Sequence, residues 1–100
     1  MPTKTCQHKK SIAPDDAHRL LAEWSRRAVL DELRDNSLAA AELADRLAER
    51  DDAPAQTNSD DIHVALHHIH LPMLQKHDAI AETRGQYTRG STAGQVETYR

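Results

Sequence analysis

The chain has 100 residues, of which 38% are hydrophobic, 29% charged and 3% aromatic, with 15 Ala and no Phe. That composition supplies one small aliphatic core and leaves little to wall a large enclosed substrate cavity. Thirteen Lys and Arg against 16 Asp and Glu give a net charge of −3, a balance that argues against indiscriminate binding to nucleic acid.

Residues 1–14 are almost devoid of apolar side chains and end in Pro14, so a mobile tail is expected ahead of a domain over 15–100. They have no apolar centre of the kind a secretory leader needs, and no run of 18 apolar residues suits a membrane span. The lone Cys6 has no partner for an internal disulfide and fits a reducing, cytoplasmic setting. Asp15 and Asp16 suit the positive end of a helix dipole. Leu20, Leu21, Trp24, Ala28, Val29, Leu30 and Leu33 follow with a period near 3.6. The stretch 15–35 reads either as one helix or as a short helix followed by a longer one from about Trp24, and the second is preferred. Asp35-Asn36-Ser37 is turn chemistry.

Ala40, Leu43, Ala44, Leu47 and Ala48 then mark a core-facing helix, with Glu42 and Arg46 spaced as an i, i+4 pair. Residues 51–57 form a polar connection. Asn58-Ser59-Asp60-Asp61 is a helix start, and Ile62, Leu66, Ile69 and Met73 share the apolar face of the helix that follows. Pro72 falls inside this pattern, which requires a kink or a fresh segment there. Beyond Asp78, residues 79–84 and 86–88 read as strands about a turn at Gly85, with 95–99 as a last strand candidate; which segment pairs with Ile80–Thr83 stays open.

Helices followed by a β-ribbon are the parts of an α+β winged helix-turn-helix, with three to four helices and a C-terminal hairpin. Three runs carry a family resemblance: WSRRAVLDEL (24–33), AAELADRL (40–47) and LHHIHLPML (66–74). The chain is similar to the small haloarchaeal ArsR-like winged-helix proteins, whose third helix bears a Leu-His-His-x-His-Leu-Pro-x-Leu signature. The 10 Asp against 4 Lys resemble the bias of salt-loving archaea. The resemblance implies a transcriptional regulator that binds double-stranded DNA as a homodimer, with the third helix in a major groove and the hairpin on the adjacent backbone.

Within that scheme Asn58, Ser59, His63 and His67 are the base-contacting candidates, with Gln56 and Thr57 nearby. Arg84 and Arg89 are the phosphate-gripping candidates, and Arg26, Arg27 and Arg46 are secondary. Leu20, Leu21 and Trp24, with aliphatic residues near the C-terminus, are the candidate self-association surface. Two features oppose a DNA role. Lys76 is the one clear cation in 59–77, and residues 51–100 carry 4 bases against 7 acids. A protein-interaction module on the same scaffold is therefore the alternative.

Seven histidines are many for this length, and His63, His67 and His70 fall at i, i+4 and i+7. Such spacing permits a Zn²⁺ or Ni²⁺ site, so a metal sensor is a third reading, ranked below structural or surface histidines. With no Gly-rich phosphate loop, no Gly-x-Ser-x-Gly and no His-Glu-x-x-His, neither catalysis, a cofactor nor a small-molecule substrate is expected.

Overall fold

The computed structural model describes residues 11–100. Pro14, with its φ already set for a helix and its missing N–H harmless in the first turn, opens α1 (Pro14–Leu21). A break at residues 22–23 separates it from α2 (Trp24–Glu32), so 15–35 is two helices. Of the tail expected over 1–14, residues 1–10 lie outside the described residues. In the part described, Ile12 is buried and its backbone N–H donates to Gln95 Oε1 at 3.1 Å.

A two-residue strand, β1 (Leu38–Ala39), leads directly into α3 (Ala40–Ala48). The acid at the third helical position caps this helix, because Ala39 N–H donates to Glu42 Oε1 at 3.2 Å. Glu42 is thus a cap, and Arg46 pairs with Glu32 of α2 at 3.7 Å instead of forming the expected i, i+4 pair with Glu42. Asn58 caps α4 (Ser59–Ala65) by accepting from Asp61 N–H at 2.9 Å.

From Ser59 the chain stays helical to Lys76, as α4, a π-helical turn (Leu66–His70) and α5 (Leu71–Lys76). The π-turn resolves the Pro72 conflict. A proline inside a helix lacks a donor and crowds the carbonyl four residues back; the wider turn, closed by Leu71 N–H to Leu66 O, carries the rod through without a new segment. It also shifts the phase of the apolar face. Ile62, Leu66, Leu71 and Leu74 are buried, joined by His70, whereas Ile69, expected inside, is 55% exposed and Met73 is half-buried.

The rod ends in a Schellman motif: Ala79 N–H donates to Leu74 O at 2.9 Å, Asp78 N–H to Gln75 O at 3.0 Å, and Asp78 takes the left-handed φ of 62°. The chain passes at once into β2 (Ile80–Thr83), which pairs antiparallel with β3 (Gln86–Arg89). Thr83 faces Gln86 across a two-residue loop in which Arg84 and Gly85 both have positive φ, 54° and 82°, the requirement of a type I′ hairpin. Leu38 and Ala39 pair with Tyr87 and Gln86, so the sheet order is β1-β3-β2.

Residues 95–99 are not a strand. They belong largely to a short helix, α6 (Ala93–Glu97), and the hairpin is not the last element. Ala93 and Val96, three apart, both enter the core, as a helix allows and a strand does not. Gly90 makes the bend possible: a Cβ there would lie 2.3 Å from Asp78 O. The core between these elements is aliphatic, with Leu20, Val29, Leu30, Leu43, Leu47, Leu66, Leu74 and Val96 fully buried. The molecule is α+β, helices around a small three-stranded antiparallel sheet. Among the described residues no helix is long and apolar enough to cross a membrane.

Candidate functional site

The solvent face of the rod starts at its cap. Asn58 is exposed, but both ends of its amide are engaged by Asp61: Oδ1 accepts the backbone N–H and Nδ2 donates to Oδ2 at 2.9 Å. Ser59 is half-buried as the first residue of α4. Gln56 is exposed with a φ of 64°, and Thr57 is half-buried with its hydroxyl on Pro54 O. Further along, His63, Val64, His67 and His68 line one open groove of about 280 Å³, all four supplied by the rod. The rings of His67 and His68 stand edge-on, 5.2 Å apart at 86°. The structure therefore brings His63 and His67 together and separates them from Asn58, whose side chain is spent on the helix start.

His70 belongs to the other side. It is buried, and its Nδ1 sits 3.1 Å from Arg26 Nη1. A guanidinium only donates, so Nδ1 is the acceptor and the ring is neutral with its proton on Nε2. Burial, reinforced by the Arg26 charge, pushes the His70 pKa below the ordinary imidazole value. The π-turn explains the failed i, i+4, i+7 spacing, since it adds a residue to the turn and rotates His70 inward. His63, His67 and His70 do not assemble, and among the described residues no three His, Cys, Asp or Glu side chains are placed to hold a metal ion.

The arginines are nearly all committed. Arg26 donates from Nε to Leu20 O at 2.8 Å and from Nη2 to Arg19 O at 2.8 Å, while Arg27 donates to Leu21 O. Together they satisfy carbonyls in the last turn of α1, where Arg19 O also accepts from Ala22 N–H at 3.3 Å. Arg50 binds Glu32 at 3.0 Å, Asp31 at 3.2 Å and Asp52 at 2.8 Å. Arg100 binds Asp31 Oδ2 at 2.7 Å and Glu97 at 3.1 Å, and Arg34 reaches both of these acids at 3.5 Å. Arg19 pairs with Asp16 at 3.3 Å.

Arg89, expected to grip phosphate, instead donates to Glu97 at 3.0 Å and to Leu30 O at 3.3 Å. The hydrogen bond from Arg100 holds the Asp31 carboxyl below the usual carboxylate range. Burial alone would raise Glu97, but the bonds from Arg89 and Arg100 outweigh it and hold it low. Among the described residues Arg84 and Lys76 are the Lys or Arg side chains without an ion-pair or hydrogen-bond partner. Both are exposed, Arg84 at the hairpin tip and Lys76 at the end of the rod.

The candidate self-association surface is corrected. Leu20 and Leu21 are buried in the chain's own core and Trp24 packs partly against it. Exposed apolar side chains lie elsewhere, at Val64 (60%), Ile69 (55%) and Tyr99 (37%). Sequence reasoning placed Ile69 on the buried face because it assumed a uniform α-helical period, and it did not single out the exposed Val64. The available signal for Ile69 was Pro72, three residues downstream of it.

No curated protein and no solved structure matches the chain. Residues 18–88, from α1 to β3, match the family described as a domain of unknown function, DUF7344. That stretch contains α2, β1, α3, the whole rod and nearly all of the hairpin, so the chain belongs to the DUF7344 family.

Proposed function

We propose that the protein is a non-catalytic DNA-binding regulator of the winged helix-turn-helix type, acting in the cytoplasm as a homodimer and similar to the haloarchaeal ArsR-like proteins. One observation carries this reading: the element order α2-β1-α3-rod-β2-β3 with sheet order β1-β3-β2. In a winged helix the same order places the third helix against the second and sets a β-ribbon beside it. The exposed polar face of the rod then enters a major groove through His63 and His67, and Arg84 meets the neighbouring phosphate backbone. The test is selection of bound fragments from genomic DNA at high KCl. Recovery of one enriched motif supports the reading; recovery of a random set overturns sequence-specific recognition.

The second reading, a protein-contact module on the same scaffold, is favoured by the arginine inventory. Eight of nine arginines have partners within the chain, whereas a DNA-binding face ordinarily gathers such cations for phosphate. Elution from a DNA column separates the two. Retention that weakens steeply with salt fits the regulator, and passage at all salt concentrations fits the protein-contact module.

A further inference from the structure

With eight of the nine arginines occupied, the rod reaches solvent through a groove lined by three imidazoles and one valine, and no charged side chain of another element enters that lining. We infer that His63, His67 and His68 supply the positive charge of the rod's groove-facing side, so that its grip on a DNA duplex is linked to proton uptake. This rests on the DNA-binding reading and adds a source of charge on the rod itself, beside Arg84 at the hairpin tip. An imidazole gains its charge over the range of about pH 5–8. Two imidazolium rings about 5 Å apart repel one another unless an anion lies between them. A bound phosphate removes that penalty, so protonation favours DNA and DNA favours protonation.

The surrounding charges leave this coupling to the histidines. On the rod, Asp60 and Asp61 occupy the first turn, where Asp61 is bonded to Asn58, and Lys76 occupies the last. On α3, which packs against the rod, Glu42 caps its own helix and Arg46 pairs with Glu32. Asp45 and Glu49 are exposed there, and all four stand outside the groove lining. From α2, Arg26 contacts His70 on the buried side and Glu23 adds a charge there. Val64, 60% exposed among the rings, supplies an apolar contact of the kind a thymine methyl accepts.

Fluorescence anisotropy on a labelled duplex, carrying the selected fragment in one series and a scrambled sequence in another, tests the inference between about pH 8 and about pH 5.5. Circular dichroism at each pH restricts the comparison to folded protein. Wild-type affinity is expected to rise at least about tenfold on acidification at fixed KCl. The slope of log K against log salt is expected to steepen by about 2–3, at roughly 0.9 per neutralised phosphate. In H63Q/H67Q/H68Q, which retains good helix formers at exposed positions, the rise should fall below about twofold and the slope should stay at its alkaline value. Binding that is indifferent to pH, or that rises equally in the triple variant, overturns the inference and leaves the DNA-binding reading standing. Absence of duplex binding by the wild type throughout the range overturns both.

Discussion

Arg84 holds the least comfortable backbone in the hairpin and is also its most available cation. A side chain with a Cβ resists the left-handed region, and Asn tolerates it better than Arg does. Arg84→Asn is therefore expected to raise stability by up to about 1 kcal/mol, read as a higher denaturant midpoint with unchanged slope. If Arg84 meets a phosphate, the same variant binds DNA more weakly on every sequence and lowers the salt slope by about 1. A variant that gains stability while losing affinity separates contact from fold. Arg89, two strand positions after Tyr87, belongs to the opposite class. Its bonds to Glu97 and Leu30 O make its removal a stability defect.

At the level of elements, the joint between α1, α2 and the rod turns on one buried guanidinium. Arg26 serves Leu20 O, Arg19 O and His70 Nδ1 at once, and a lysine ammonium does not reproduce that planar fork. Arg26→Lys is expected to destabilise the fold by about 2–3 kcal/mol, measured by chemical denaturation at neutral pH, because buried acceptors lose their donor. The same joint sets a pH dependence. The His70 pKa is lower in the folded state than in the unfolded chain, so on acidification the unfolded chain takes up a proton first. Stability is full above the ordinary imidazole pKa and declines as the pH falls through it. In His70→Gln, whose amide oxygen still accepts from Arg26, the melting temperature should lose much of this slope between about pH 7 and 5.

Across the whole molecule, a charge network closes the fold from α2 to the C-terminus. Asp31 and Glu32 on α2 hold Arg50 beyond α3 and Arg100 at the chain end, and Glu97 holds Arg89 from the sheet. The Arg50 side chain is only 20% exposed, so its contacts with the half-buried Asp31 and Glu32 are shielded better than an isolated surface pair, while Asp52 remains exposed. Arg50→Ala is expected to lower stability by about 1–2 kcal/mol. At 1 M KCl, where the Debye length is about 3 Å, that difference should narrow without vanishing. Equal stability of variant and wild type at low salt would show the network to be energetically idle.

The sequence by itself determined the helices from α1 to the rod and the hairpin segments, since these rest on local rules. The cap at Asn58, the period of Leu43, Ala44 and Leu47, and the turn at Gly85 are written in neighbouring residues, whereas Glu42, read as a partner for Arg46, caps α3 instead. It did not determine what each polar side chain touches. Pro72 foretold an interruption, but only packing decided that a π-turn would absorb it, turning His70 toward Arg26 and Ile69 toward solvent. Tertiary structure likewise assigned Arg89 and Arg100 to carboxylates distant in the chain, and made a helix of a segment that alternation alone would leave a strand. The physical reason is range: propensity and capping act within one helical turn, whereas burial and charge pairing depend on groups that only folding brings within a few ångströms.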